Sequence, residues 1–327
     1  MNPPDPFRNE IAALAGQFRW TPAPTGEIHD PGRLVLAGLG GSALAGDFLA
    51  LAASGVRPVP VIRDELLPPW VGQGDTVLCV SCSGSTGETL SVWDEAGRRG
   101  ADRAAVASGG SLLERARAAG AAHCSIPTGL SPRSSLGYLV RAGAALVGGA
   151  VSATLWDAAA AHLESVAAVW GASEGEAWDL AQALRGRLPL IMAMEPHLIV
   201  AARRWAGNLA ENAKVPAIVL EFPEAAHNAL MVFADETRNP VPVAVVTLGE
   251  PRHPAHRRRW GVIQRLLQEQ GVRLNPVSLR HQDPWIEALG LAHAGDWTSV
   301  ALAEIYGVDA SSLSLMDRLK TRLAADG

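Results

Sequence analysis

Short apolar runs alternate with helix-like stretches along the first half of the chain, and this alternation limits the fold more than any other feature. Apolar runs at 34–37, 76–81 and 104–107 each lead into small or polar residues and then into a segment that can form a helix. A further run at 56–62 contains Pro58 and Pro60, which restrict it to a sheet edge or shorten it to its last residues. Strands that alternate with helices predict a parallel sheet covered on both faces.

The alternation continues in the second half, after an alanine-rich stretch at 142–168 that we interpret as helical. The two halves share no tandem repeat. We therefore predict an α/β chain with two doubly wound parallel-sheet domains, residues 1–152 and 153–327. In the second domain we expect strands at 188–193, 215–220, 241–248 and 273–277, and helices at 199–210, 298–306 and 313–324.

Charge and cysteine content exclude several classes of partner and compartment. The net charge of −5 comes with no long basic block, which argues against nucleic acid as a partner. The sequence has no apolar run of the roughly 18 to 20 residues that span a bilayer, so we expect no membrane. Three cysteines form no disulfide framework, and MNPPDPFRNE lacks the pattern of a secretory signal. We expect a cytoplasmic protein.

A glycine-rich loop at 38–43, GLGGSA, follows the first predicted strand and precedes a helix. Ligands of open parallel sheets bind at the carboxyl ends of strands, and glycines let the backbone approach a ligand closely. The loop also fits the dinucleotide pattern G-x-G-x-x-A, with Asp64 after the second strand as the ribose partner. A tight turn with no ligand explains the same residues, so both alternatives stay open.

A hydroxyl-rich loop follows the third predicted strand, with Ser81, Ser83, Ser85 and Thr86 before a helix that begins near residue 88. Hydroxyls grouped beside a helix N-terminus can donate hydrogen bonds to one phosphate. The alternative is an ordinary N-cap, in which one hydroxyl satisfies the first N–H groups of the helix. Four hydroxyls in six residues favour the phosphate site.

Five motifs, in the same order and over nearly the whole chain, resemble those of the sugar isomerase (SIS) family, in particular its bifunctional phosphoglucose/phosphomannose isomerase branch. Each motif is short, but together they are specific. The motifs are GGSA at 40–43, SCSGST at 81–86, PRSSLGY at 132–138, ENAK at 211–214 and PEAAHN at 223–228, and Lys320 matches a lysine of the last helix.

The resemblance implies two SIS-type domains, a homodimer with its active site near the subunit interface, and an enediol mechanism that needs no metal and no cofactor. The substrate it implies is a small sugar phosphate. Glu211 matches the carboxylate that moves a proton between C1 and C2, His227 the ring-opening histidine, and Arg133 the arginine that stabilises the enediolate. The expected site residues are therefore Glu211, His227, Arg133 and Lys320 for catalysis, and Gly41, Ser42, Ser81, Ser83 and Thr86 for substrate binding.

Four residues depart from the pattern of the family: Ala43 replaces a glycine, Cys82 a tyrosine, Ser85 an asparagine, and Ala229 stands where glutamate is frequent. None removes a matched catalytic group, but they leave the choice of sugar open. The family distinguishes glucose from mannose phosphates through a hydroxyl near the last helix, where this chain has Ser311, Ser312 and Ser314.

The chemistry of these residue types agrees with an aldose–ketose isomerase acting on glucose 6-phosphate and mannose 6-phosphate to give fructose 6-phosphate. Removing a proton beside a carbonyl requires a positioned base and a nearby positive charge, and histidine titrates in the range that ring opening requires. Without the resemblance, the same residues fit ordinary surface side chains. A sugar-phosphate sensor without catalysis and a nicotinamide-dependent oxidoreductase are the competing hypotheses.

Overall fold

The computed structural model describes residues 6–29, 32–53, 58–148, 151–234 and 241–326. Within them the chain forms two compact units, each with one parallel sheet. The five-stranded unit comprises Glu10–Ser165 and His281–Gly290, and the four-stranded unit comprises Met1–Asn9, Val166–Arg280 and Leu291–Gly327. The predicted division at residue 152 lies just before the helix Ala153–Trp170.

The sheet of the five-stranded unit has the strand order β2, β1, β3, β4, β5, and all its neighbours are parallel. Its strands are β1 (Arg33–Ala37), β2 (Val61–Ile62), β3 (Asp75–Val80), β4 (Asp102–Ala107) and β5 (Ala122–Ser125). Strand β3 is buried along its whole length, as expected for a central strand with helices on both faces.

Helices cover this sheet and contribute the core of the unit. In the described part of the chain, the first helices are α1 (Pro6–Ala12), α2 (Leu14–Arg19), α3 (Gly40–Ala53), α4 (Gly87–Arg98), α5 (Gly110–Ala118), α6 (Leu136–Val147) and α7 (Ala153–Trp170). The boundary between the two units falls within α1, after Asn9, and within α7, after Ser165. One cluster of buried side chains joins β1, β3 and β4 to the inner faces of α4 and α5, and includes Trp93 and Leu112. Helix α2 is fixed by Phe18, whose ring lies 6.1 Å from that of Trp156 and 6.0 Å from that of Trp285.

The sheet of the four-stranded unit has the order β7, β6, β8, β9, which repeats the first four positions of the other sheet. Its strands are β6 (Leu188–Ala193), β7 (Ile218–Glu221), β8 (Val243–Leu248) and β9 (Leu274–Val277). The later helices are α8 (Glu176–Leu184), α9 (Ile199–Asn212), α10 (Pro254–Glu269), α11 (Pro284–Tyr306) and α12 (Ser314–Asp326). Its core joins Met192 and Val245 of the sheet to Trp260 and Ile263 of α10.

The prediction of an α/β chain with two parallel sheets is confirmed. The prediction of one alanine-rich helix at 142–168 is wrong in detail, since α6 ends at Val147 and α7 begins at Ala153. Gly148 follows α6 with φ of 68°, a conformation that stops a helix at little cost only for glycine. The edge strand predicted at 56–62 is limited, in the described residues, to Val61–Ile62.

Candidate active site

The point where the strand order reverses lies between β1 and β3 in the five-stranded unit. In doubly wound sheets of the order 2-1-3-4-5, the loops that leave these two strands diverge to opposite faces and open a crevice at their carboxyl ends. The loop after β1 is the glycine-rich segment, and the loop after β3 is the hydroxyl-rich segment. Both predicted binding loops therefore meet at the one edge of the sheet that favours a ligand.

Gly41 and Ser42 connect the first loop to its neighbours. A side chain at Gly41 would place Cβ 2.8 Å from Pro132 O, so only glycine allows the segment that carries Arg133 to approach this closely. The hydroxyl of Ser42 is buried and accepts a hydrogen bond of 3.1 Å from the backbone N–H of Cys82. Gly41, Ser42, the hydroxyl loop and the Arg133 segment are therefore packed together.

The hydroxyl loop is held by its own side chains. Ser81 Oγ and Thr86 Oγ1 share a hydrogen bond of 2.9 Å, and Ser81 Oγ also accepts from Gly84 N at 3.1 Å. Ser83 Oγ accepts from Ser85 N at 3.2 Å, although Ser83 itself is exposed. Gly84 has φ of 70°, and a Cβ there would lie 1.9 Å from Gly109 O, so the turn requires glycine.

The N-cap alternative for this loop has little support from the geometry. Thr86 occupies the N-cap position of α4 with extended backbone, yet its side chain makes no capping hydrogen bond. The hydroxyl is instead bonded to Ser81. The N-terminus of this twelve-residue helix has no side-chain cap and lies beside several hydroxyls, an arrangement that can accept an oxyanion.

Arg133 lies in the 3-10 turn Pro132–Ser134 and is 3% exposed. The turn is positioned by Gln17 of α2, a residue that the sequence did not indicate. The buried Gln17 amide donates to Ser134 O at 2.6 Å and accepts from Gly137 N at 3.0 Å. A Cβ at Gly137 would lie 2.5 Å from Gln17 Cβ, which explains the glycine of the LGY motif.

Glu211 lies half-buried in the last turn of α9, in the four-stranded unit. Its neighbour Asn212 is buried and donates to Ser299 Oγ of α11 at 2.9 Å. Lys214 follows the helix with φ of 60°, and its Nζ donates to Glu211 O at 2.5 Å and to Ser312 O at 2.8 Å. The ENAK motif therefore fixes the end of α9. The positive charge of Lys214 also interacts favourably with the negative end of the helix dipole.

A buried ion pair fixes the rest of α9 against α11. Arg204 donates to both carboxylate oxygens of Asp296, at 2.8 and 3.0 Å, and both side chains are 1% exposed. Asn208 donates to the same carboxylate at 2.6 Å, and His293 Nδ1 lies 3.3 Å from it. Burial alone would raise the pKa of Asp296, but the Arg204 charge, with the bonds from His293 and Arg204, holds it below its ordinary value.

His227 ends a 3-10 turn, Glu224–His227, that follows β7, and it is exposed. Glu211 precedes β7, because α9 is the crossover that returns the chain from β6. The four residues of β7 span about 10 Å between its first and last Cα atoms. Within one chain, Glu211 therefore precedes the amino end of this strand, and His227 follows its carboxyl end.

The remaining residues singled out in the sequence are those near the end of the chain and Cys82, which replaces a tyrosine of the family motif. Lys320 is in α12, and its side chain lies outside the part that the structure describes. Ser312 contributes its carbonyl to Lys214, while Ser311 donates to Asp309. Cys82 is buried, with Sγ 3.6 Å from Ser135 Oγ; burial raises the pKa of its thiol, opposed by the bond with Ser135.

The dinucleotide alternative is not favoured by the sheet. Dinucleotide-binding sheets have the strand order 3-2-1-4-5-6, whereas this sheet has 2-1-3-4-5. Asp64 follows β2 as predicted, but its carboxylate accepts from Glu65 N at 2.7 Å and Leu66 N at 3.2 Å and closes a local turn. Among the residues that the structure describes, no helix is long and apolar enough to cross a membrane.

Comparison with known proteins identifies the fold and the family of the chain. Residues 173–323 match the family described as bacterial phospho-glucose isomerase C-terminal SIS domain. A solved structure titled as a glucose-6-phosphate isomerase like protein from Thermus thermophilus superposes with a TM-score of 0.64 and 22% identity, covering 96% of this chain and 93% of that one. This similarity supports the fold.

Curated relatives extend over both units. A bifunctional phosphoglucose/phosphomannose isomerase from Aquifex aeolicus (strain VF5) is 32% identical over 96% of this chain and 97% of its own. One of the same description from Caldicellulosiruptor bescii is 30% identical over 91% of each. The chain therefore belongs to the bifunctional phosphoglucose/phosphomannose isomerase family of SIS-fold isomerases.

Proposed function

We propose that this isomerase interconverts glucose 6-phosphate, and also mannose 6-phosphate, with fructose 6-phosphate through an enediol. The observation that carries the proposal is the loop Ser81–Thr86: hydroxyls and an uncapped helix N-terminus meet at the switch point of a doubly wound sheet. This arrangement suits the phosphate of a sugar phosphate, and the full-length relatives supply the reaction class.

In the proposed reaction, the hydroxyl loop holds the phosphate while His227 transfers a proton between the ring oxygen and the C1 hydroxyl to open the ring. Glu211 then removes the proton from C2 of the open aldose, and the electron pair forms the C1–C2 double bond of the enediolate. The enediolate oxygen at C1 gains a proton while the C2 hydroxyl loses one, and the same carboxylic acid returns its proton to C1, which leaves the carbonyl at C2. Arg133 stabilises the oxyanion that develops, because a guanidinium shielded from water interacts strongly with it.

We propose further that the enzyme is a homodimer in which His227 reaches the active site of the partner subunit. The supporting observation is that, within one chain, Glu211 precedes the amino end of β7 and His227 follows its carboxyl end. A two-fold dimer can place the His227 of one copy beside the Glu211 of the other, since residue i then contacts j and j contacts i.

A coupled assay for fructose 6-phosphate, run separately with each aldose phosphate, tests the reaction. We expect Glu211→Gln to lower kcat by about 10²–10⁴-fold, the usual contribution of a positioned general base. In D₂O the wild type should exchange solvent deuterium into the product, and Glu211→Gln should not. Glu174→Gln, at an exposed loop position, is the matched control and should behave as the wild type.

Two results would contradict the reaction. Binding of both sugar phosphates without turnover would indicate the sensor. Full activity in Glu211→Gln would show that Glu211 is not the general base.

Subunit complementation tests the trans arrangement. Glu211→Gln and His227→Ala should each be nearly inactive alone, whereas their coexpressed mixture should recover about a quarter of wild-type activity. Half of the dimers are then mixed, and one of the two sites in each mixed dimer keeps both residues. No recovery from a mixture that does form mixed dimers would place both residues of a site in one chain.

A further inference from the structure

A cavity of about 620 Å³ opens in the four-stranded unit at the amino ends of β6, β8 and β9. Its walls are formed by the end of α8 and the turn that leads to β6, the residues at 232–233, the start of β8 and the segment from the end of α10 to the start of β9. The predicted site residues whose side chains the structure describes all lie outside its lining. The volume is within the range of about 300–1,000 Å³ that small-molecule sites occupy.

Three arginines line this cavity, Arg185, Arg187 and Arg273. The first two flank Gly186 in the tight turn between α8 and β6. Gly186 has φ of 69°, and its N–H donates to the Tyr306 hydroxyl at 2.6 Å, so the turn is fixed. Arg273 immediately precedes β9. Since the amino ends of parallel strands meet at one edge of a sheet, two separate segments bring three positive charges to one opening.

Within the described ranges, the three guanidinium groups have no acidic partner to neutralise them. No Asp or Glu of the described residues lines the cavity, and none of the three arginines forms an ion pair with any of them. Other arginines of this unit do, for example Arg204 with Asp296 and Arg280 with Glu250. Like charges around one cavity repel each other, and a bound anion would relieve this repulsion. Guanidinium groups match phosphate oxygens in a bidentate geometry.

The cavity also offers an apolar wall and amides. Phe233 is 6% exposed, and it lines the cavity together with several valines, including Val232 and Val272. Gln182 adds a side-chain amide and Asn275 an amide oxygen, which can pair with the edge of a heterocycle; Asn275 Nδ2 donates to Val245 O at 3.0 Å. A single phosphate ion would use only the charged part of this surface, whereas a phosphorylated ring compound would use all of it.

We propose that this cavity binds a small organic phosphate that carries a planar heterocyclic ring, of the nucleotide class. The inference goes beyond the proposed isomerisation and does not depend on it. It rests on Arg185, Arg187 and Arg273, which have no acidic partner among the described residues, on the apolar wall and on the turn at Gly186.

Isothermal titration of the full chain with ATP, and separately with inorganic phosphate, tests the site. We expect ATP to bind at least about 10-fold more tightly than phosphate, because several charge-assisted bonds act together with the apolar wall. The double variant Arg187→Gln/Arg273→Gln should weaken ATP binding by about 10-fold or more. Arg258→Gln, an exposed arginine of α10 outside the cavity, should change it by less than about 2-fold.

Several outcomes would overturn the proposal. One is no ATP binding by the wild type at millimolar concentration, and another is an equal loss of affinity in Arg258→Gln, which would mean nonspecific charge. A third is loss of ATP binding in Ser83→Ala/Thr86→Val with retention in the arginine double variant, which would place ATP on the hydroxyl loop. Thermal melts check that each variant is folded, and Arg185→Gln serves as the cavity variant if the double variant melts early.

Discussion

The two sheets share one strand order, but their equivalent switch points contain different chemistry. In the five-stranded unit, the Ser42 hydroxyl after β1 accepts from Cys82 N after β3. In the four-stranded unit, the Glu195 carboxylate after β6 accepts from Arg252 N after β8, at 2.6 Å. A side chain of the first loop thus binds the backbone of the second loop in both units, but in one it is neutral and in the other it is charged.

The difference shows that the same strand order can place opposite electrostatic conditions at equivalent switch points. A built-in carboxylate already occupies the second switch point and would repel a phosphate there. The neutral hydroxyls of the first switch point leave room for the negative charge of a ligand. Between α9 and α11 of the four-stranded unit, charge is used for an internal contact, the Arg204–Asp296 pair.

The largest effect on stability should come from breaking the buried Arg204–Asp296 pair. Asp296→Asn leaves the Arg204 charge buried without its carboxylate, and we expect the free energy of unfolding to fall by about 3–5 kcal/mol. Urea denaturation measures it. Asp75→Asn is the matched control, because Arg33 and Asp75 have the same 2.8 and 3.0 Å contacts while the Arg33 side chain is 55% exposed. If both variants lost the same free energy of unfolding, burial of the arginine would not be the cause of the loss in Asp296→Asn.

The next effect tests the neutral switch point. Ser83→Asp places a carboxylate in the hydroxyl loop, as Glu195 does in the other unit, and should lower kcat/KM for the sugar phosphate about 100-fold, mainly through KM. Initial rates over a range of substrate concentrations measure this. Ser173→Asp, at an exposed loop position, should leave the rates unchanged. An unaffected KM in Ser83→Asp would mean that the phosphate binds elsewhere.

A smaller effect on stability is expected when the Glu195 carboxylate, at the switch point of the four-stranded unit, is removed. Glu195→Ala deletes the acceptor of Arg252 N and should lower the free energy of unfolding by about 1–2 kcal/mol. The kcat/KM of the folded enzyme should stay near the wild-type value. A selective rise in KM for sugar phosphate, with no change in stability, would show that Glu195 belongs to the active site.

The smallest expected effect is a loss of stability at low pH, when the Asp296 carboxylate becomes protonated. Because the pKa of Asp296 is held below its ordinary 3.8, its contribution to stability is complete above that pH and is lost as pH falls through the lower folded value. Urea midpoints measured from pH 5 to pH 2.5 should therefore fall more steeply in the wild type than in Asp296→Asn. Parallel curves would show that the carboxyl titrates alike in the folded and unfolded chains.

The sequence predicted the sheets well because buried parallel strands are continuous apolar runs. The strand at 188–193 agrees at both ends, and β3 differs by one residue. Strand β5 was missed, since its residues AHCS show no apolar pattern, and the helices of residues 6–19 were missed as well. Helix α11 begins at Pro284, although only its last third was predicted.

The predicted site depends on contacts that are distant in sequence, and these could not be derived from spacing. Gln17 and Ser134 are 117 residues apart, and nothing in the local pattern around Gln17 indicates that its amide positions the Arg133 turn. The bond between Ser42 and Cys82 likewise joins two loops that were interpreted separately. The motif order predicted the candidate residues, while the backbone contacts explain why the glycines among them are required.

The discontinuous course of the five-stranded unit has a consequence for how the protein emerges from the ribosome. Its last segment, His281–Gly290, supplies Trp285, which donates to Phe48 O at 3.0 Å and packs against Trp156. Residues 10–165 must therefore wait, with this aromatic surface uncovered, while 166–280 are made. At about 5–20 residues per second the delay is about 6–23 s, and during it the uncovered aromatic surface is exposed to nonspecific contacts.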